Sequence, residues 1–125
     1  MARFDGFVPG RWPLDAIGAG GFRFAEMSHK GSILVTPSGI RIWPVAQFSE
    51  VTLASLQPVL DEAEAIDFLI IGTGADIAFV PPALREPLKR AGITVEGMAT
   101  GAAARTYNVL VGEDRRVAAA LIAIP

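Results

Sequence analysis

Four consecutive large apolar residues, Phe68 to Ile71, follow Asp67 and break abruptly into Gly72-Thr73-Gly74. An apolar run with no polar residue alternating through it suits a β-strand covered on both faces, so it calls for a sheet with packing layers on either side. The two glycines have no Cβ and allow a sharp turn or a close approach to another group. Ligands of open α/β sheets gather beyond the carboxyl ends of strands, which makes this loop the first candidate site.

A chain of 125 residues is long enough to bury about two thirds of its unfolded surface in one core, so residues 1–125 are read as a single domain. Hydrophobic residues make up 51% of it and the mean hydropathy is +0.42. Even so, the longest apolar stretch, Val117 to Ile124, falls well short of the ~18 residues a membrane helix needs. The net charge of −2 and the scattered arginines mark no nucleic-acid surface. With no cysteine there is no disulfide framework, thiolate nucleophile or thiolate metal site. Residues 1–10 lack the charged-then-apolar pattern of a signal peptide, and a cytoplasmic, prokaryotic protein is the default expectation.

Residues 1–21 contain seven glycines and prolines, too many for a helix or a long strand, and are read as an arm anchored by Phe4, Phe7 and Trp12 on a core spanning 22–124. Strand patterns follow at Phe22 to Phe24, Gly31 to Thr36 and Ile40 to Trp43, the last two flanking Pro37-Ser38-Gly39; they predict a three-stranded antiparallel meander ended by Pro44. Thr52 is a candidate helix cap before Leu53, Leu56, Val59 and Leu60, with Pro58 splitting that helix into short turns. Asp61, Glu62 and Glu64 read as a solvated acidic surface.

Beyond the glycine loop, Pro81-Pro82 opens a helix over 83–91, with Leu84 and Leu88 inward and Arg85, Lys89 and Arg90 outward, stopped by Gly92. Ile93 to Glu96 then completes a strand–helix–strand unit, expected to be a right-handed parallel crossover. Thr100 is a candidate N-cap for a second helix through Val111, with Ala103, Thr106 and Leu110 on one face. Val117 to Ile124 returns as a strand thin enough in side chains for helices to pack closely on it. The fold class expected is therefore a single three-layer α/β domain with a mixed central sheet, an N-terminal hairpin region and flanking helices.

Several chemistries can be weighed against this frame. Gly72-Thr73-Gly74 with Glu96 resembles a dinucleotide fingerprint, but Ile77 stands where a third glycine belongs and the following helix begins too late to meet a pyrophosphate. His29 is the only histidine, so no multi-histidine metal site can form, and no Gly-x-Ser-x-Gly elbow is present. No metal and no cofactor are expected. Arg105, on an apolar helix, is expected to find acceptors at Asp67, Asp76 or loop carbonyls as an internal clamp. Alternatively it bounds an anion pocket with Gly72, Thr73, Gly74, Thr100 and Asn108.

The residues Gly20-Gly-Phe-Arg-Phe24, Gly31-Ser32, Ile71-Gly-Thr-Gly74, Met98-Ala-Thr100, Arg105-Thr-Tyr-Asn108 and Glu113 to Leu121 together resemble the uncharacterised domain shared by archaeal and bacterial proteins and mitochondrial complex I assembly factor three. The resemblance spans residues 17–123. Ala104 stands where relatives often carry Cys, Asp114 where they often carry Gly, and a tyrosine common near position 18 is absent. What the resemblance implies is a three-layer α/β fold and a non-enzymatic assembly role with protein partners, inner-membrane complex biogenesis machinery among them. The high apolar content adds an expectation of self-association. The alternative is a small-molecule domain or enzyme that takes an anionic metabolite or nucleotide at the Gly72–Gly74 loop.

Overall fold

The apolar run is an interior strand, as its composition requires. A computed structural model describes residues 4–125. Its strands are β1 (Phe7–Pro9), β2 (Leu14–Gly18), β3 (Gly21–Phe24), β4 (Met27–Lys30), β5 (Ile33–Thr36), β6 (Gly39–Ile42), β7 (Phe68–Gly72), β8 (Thr94–Met98) and β9 (Val117–Leu121), and its helices are α1 (Gln57–Asp61), α2 (Pro82–Arg90) and α3 (Thr100–Gly112). Six strands form one mixed sheet in the order β1-β6-β5-β9-β7-β8, and β2-β3-β4 form a second, antiparallel sheet.

In the large sheet β7 runs parallel to both β8 and β9, whereas β9 runs antiparallel to β5. The last strand of the chain thus occupies the middle of the sheet and joins its parallel and antiparallel halves. Its run Ala118-Ala119-Ala120 is fully buried, and such short side chains let layers come close on both faces. On one face Leu69, Ile71, Val95 and Ala118 pack with Val59 of α1 and with Leu84 and Leu88 of α2. On the other, Ile70, Ala119 and Leu121 pack with Ala103, Ala104 and Tyr107 of α3 and with Phe22 and Phe24 of the small sheet. Alternate residues of β7 therefore feed opposite cores, and burying each one fully contributes about 1.5–3 kcal/mol.

Three sequence expectations need correction. The β5–β6 hairpin forms around Pro37-Ser38 as expected, but Phe22 to Phe24 does not join it in a meander; β3 pairs with β2 and β4 in the other sheet. A boundary at residue 22 would cut the β2–β3 hairpin, and β1 within the same segment pairs with β6 at the edge of the large sheet. The N-terminal segment is thus woven into both sheets, with Phe4 stacked edge-on against Phe24 at 5.1 Å. Glu62 is not simply solvated. Its carboxylate accepts from the Thr36 hydroxyl at 2.6 Å and from the Ser38 amide and hydroxyl at 3.0 and 2.7 Å, closing the β5–β6 turn from α1.

Around Pro58 the helix is divided as expected, into a 3-10 turn at Ala54–Leu56, α1, and another turn at Ala63–Ala65. Thr52, read as a helix cap, is not the N-cap: that position belongs to Leu53 before the first turn and to Leu56 before α1, and the Thr52 Oγ1 accepts from the Ser55 amide at 3.1 Å just upstream.

Candidate functional site

At the carboxyl end of β7 the chain brings Gly72, Thr73, Gly74 and Thr100 together. A Cβ on Gly72 would lie 2.9 Å from Leu121 Cδ2, 3.0 Å from Thr100 Oγ1 and 3.1 Å from Thr100 Cα. The missing side chain serves the close approach of α3 to β7 and β9, so a helix of the same chain fills the space a ligand would need. Gly74 turns the chain at φ +112.

The loop's polar groups are matched within the fold. The Thr73 amide donates to the Met98 carbonyl at 2.8 Å, and the Gly72 carbonyl accepts from the Ile122 amide at 3.0 Å. The Thr73 hydroxyl sits 2.8 Å from the Asp76 carbonyl and 3.1 Å from that of Met98, and accepts from the Ala78 amide at 3.0 Å. Thr100 was expected to be the N-cap of α3, but that position belongs to Ala99. The fully buried Thr100 hydroxyl instead donates to the Ile122 carbonyl at 2.7 Å and accepts from the Gly74 amide at 3.0 Å. One side chain thereby ties the loop, the helix start and the segment after β9 together, leaving the loop as a sealed joint.

Arg105 and Asn108 do not complete a pocket there. Arg105 is exposed and, among the described residues, has neither Asp67 nor Asp76 as a partner; its guanidinium reaches back beside Gly101. The expected clamp is absent because the buried face of α3 is carried by Thr100, Ala103, Ala104 and Tyr107, which rotates position 105 outward. Of Ala103, Thr106 and Leu110, read as sharing one face, Ala103 is buried while Thr106 and Leu110 are only partly so. Asp67 pairs with Arg116 instead, at 3.6 Å. The Asn108 side chain accepts from the Leu14 amide and donates to the Leu14 carbonyl, both at 2.8 Å, so it acts as a strand partner for β2. Arg85, expected to point outward, turns back to donate to the Val95 carbonyl on the outer edge of β8 at 2.6 Å.

Sequence reasoning passed over Tyr107, the chain's only tyrosine. Its hydroxyl donates to the Trp12 carbonyl at 2.8 Å, and burial pushes its pKa up to about 12 against an opposing pull from Arg11. The i, i+4 spacing from Ala103 was the signal that would have placed it inward. His29, whose place between Ser28 and Lys30 in the sequence suggests a solvated strand connection, lies in β4 against the Phe4 ring at 5.2 Å, and partial burial lowers its pKa below the ordinary histidine value. It makes no ion pair with a carboxylate among the described residues and belongs to no cluster of metal-ligating side chains there.

The segment between the loop and α2 has a different character. Ile77 and Phe79 are 70% and 77% exposed, while their neighbour Val80 is buried. They flank a shallow cavity of about 330 Å³ bounded by Arg85, Glu96 and Gly97 on the side of β8, the edge strand of the large sheet. Val80 Cγ2 lies so close to Gly97 that a Cβ there would meet it at 2.8 Å. That contact and Pro81-Pro82 hold the segment in place, with its two largest side chains turned to solvent.

Among known proteins, a family model described as "Protein of unknown function (DUF498/DUF598)" matches residues 14–122. An uncharacterised protein of Rhodobacter capsulatus is 41% identical over 123 residues, covering 98% of this chain and 93% of that protein. The NADH dehydrogenase [ubiquinone] 1 alpha subcomplex assembly factor 3 of Xenopus tropicalis is 34% identical over 92 residues, which are 74% of this chain and 50% of that protein. The chain therefore spans about half the length of that assembly factor. A solved structure from Bartonella henselae, described as an outer membrane protein, superposes with a TM-score of 0.90 at 48% identity, covering 94% of this chain and 98% of that one. Among the described residues, no helix is long and apolar enough to cross a membrane.

Proposed function

The chain belongs to the DUF498/DUF598 family of proteins of unknown function, and from that membership we propose a non-enzymatic role as an assembly or protein-interaction factor whose working surface is the Ile77–Phe79 segment. The observation that carries this reading is the exposure of Ile77 and Phe79, 70% and 77%, on a segment held by the Ala78 amide on the Thr73 hydroxyl and by Val80 against Gly97. Large apolar side chains held out on a fixed backbone lose little entropy on docking, and aromatic anchors supply most of the energy of protein interfaces. The relation to an assembly factor supports a protein as the partner. Machinery that builds inner-membrane complexes is the class of partner this relation suggests.

Competition from the glycine loop is weak, since its amides, carbonyls and hydroxyls are engaged by Thr100, Met98, Asp76 and Ile122. The test is affinity capture from cells of the source organism with the unaltered protein and with the Ile77→Ser/Phe79→Ser variant. A specific partner recovered by the first and lost by the second, at equal thermal stability, supports the reading; equal recovery by both removes it. Sedimentation at micromolar concentration of the same pair separates a distinct partner from self-association.

A further inference from the structure

The small sheet carries a second feature, independent of the apolar segment. Its register puts Leu14, Ile17, Phe22, Phe24, Met27 and His29 toward the core, while Ala16, Gly18, Gly21, Arg23, Ser28 and Lys30 share the opposite face. Four of those six outward residues are small, and a cavity of about 360 Å³ lies over them. The sheet is curled tightly enough that a Cβ on Gly21 would stand 2.1 Å from the His29 carbonyl oxygen, so glycine is obligatory where the sheet folds over. The curl gives the hollow its walls.

Among the described residues lining the hollow none is acidic and two are cationic, Arg23 and Lys30. Lys30 Nζ donates to the Ala19 carbonyl at 2.9 Å, which holds the ammonium in place; among the described residues its other two N–H groups are unspent. Arg23 is exposed and has no ion pair among the described residues. The rest of the lining is small residues on the outer face, Ala16, Gly18, Ala19, Gly21 and Ser28, with the core-facing Ile17, Phe22 and His29 behind them. A hollow of this size, apolar within and bearing a few convergent polar groups, has the usual build of a small-molecule site.

We propose that the outer face of β2-β3-β4 binds a small organic anion, with its carboxylate or phosphate held by Arg23 and Lys30 and an apolar body lying on Ala16, Gly18 and Gly21. The guanidinium fork matches a carboxylate or phosphate edge in two parallel bonds, and the pinned ammonium supplies a point charge beside it.

The experiment is an amide chemical-shift titration of the full chain with benzoate, inorganic phosphate and the neutral isostere benzyl alcohol. Benzoate is expected to move the signals of Gly21, Arg23 and Lys30, with phosphate binding more weakly and benzyl alcohol leaving them in place. Arg23→Gln and Lys30→Gln, both changes of exposed residues, should each weaken benzoate by about tenfold, the worth of one charge-assisted hydrogen bond. Ala16→Leu should fill the hollow and abolish binding at unchanged melting temperature. Shifts located elsewhere, benzyl alcohol binding equal to benzoate, or unchanged affinity in both glutamine variants would overturn the site. Phosphate binding as tightly as benzoate would overturn the apolar half of the assignment.

Discussion

The Gly74 amide donates to the Thr100 hydroxyl at 3.0 Å, and the Thr100 amide returns a bond to the Gly74 carbonyl at 2.8 Å. This reciprocal pair, with the Thr100 hydroxyl donating its own hydrogen bond to the Ile122 carbonyl, turns the site first suggested by sequence into a structural joint. Thr100→Val keeps the shape and removes the hydroxyl, stranding a donor and an acceptor, and should cost about 1–3 kcal/mol in urea denaturation. Gly72→Ala should cost a similar amount, about 1–3 kcal/mol, because Thr100 Cα and Leu121 must yield to the new methyl. Loss of less than half a kcal/mol in both would show that the joint is not under load.

Leu69 lies at 0% exposure between α1 and α2 on a strand whose other face is also covered. Leu69→Ala should destabilise the chain by about 2–5 kcal/mol, transfer and cavity terms together. Calorimetric melting checks it; a change within the range of surface substitutions would contradict the two-sided burial of β7.

Tyr107 ties α3 to the N-terminal segment, and its fold-imposed pKa of about 12 stands above the ordinary value of 10.0. The neutral phenol is the form the fold favours, so the contribution is complete below pH 10 and is lost as pH rises from 10 towards 12, where the unfolded chain ionises first. At pH 11 the unfolded state is favoured by about 1.4 kcal/mol relative to pH 9 through this group. Tyr107→Phe should lose less stability than the unaltered chain over the same pH interval. Parallel pH profiles for the two proteins would contradict the shift.

How much was legible beforehand follows the strength of local signals. The buried β7, the proline-opened α2, the alanine-rich β9 and the β5–β6 turn all carried composition or breaker residues that allow few alternatives. The small sheet did not, because its turns use residues that rarely adopt left-handed backbone: Ala19 at φ 53 before Gly20, and Ala25 and Glu26 at φ 50 and 63. Two-residue hairpins with both φ positive ordinarily carry Asn-Gly or Asp-Gly, so neither Ala25 nor Glu26 announced a turn. Arg105 was misplaced for a related reason. The helix around it is apolar on more than one side, Val109 being 58% exposed, and periodicity alone did not fix which face turns inward.

The same turn supplies a gain-of-stability test. Replacing Ala25-Glu26 with Asn-Gly should relieve the left-handed strain and stabilise by about 1–2 kcal/mol. A rise in urea midpoint without change in slope is the expected readout; a fall would show that β3 and β4 are not joined by this turn.

The account rests most heavily on the Ile77–Phe79 segment as the surface that meets a protein partner. A photo-crosslinking amino acid placed at Phe79 in living cells tests this directly, with the same group at the exposed Lys89 as control. The expected result is one discrete product with a second protein from position 79, absent from position 89 and abolished by Ile77→Ser. Equal products from both positions, or a position-79 product indifferent to Ile77→Ser, would contradict it.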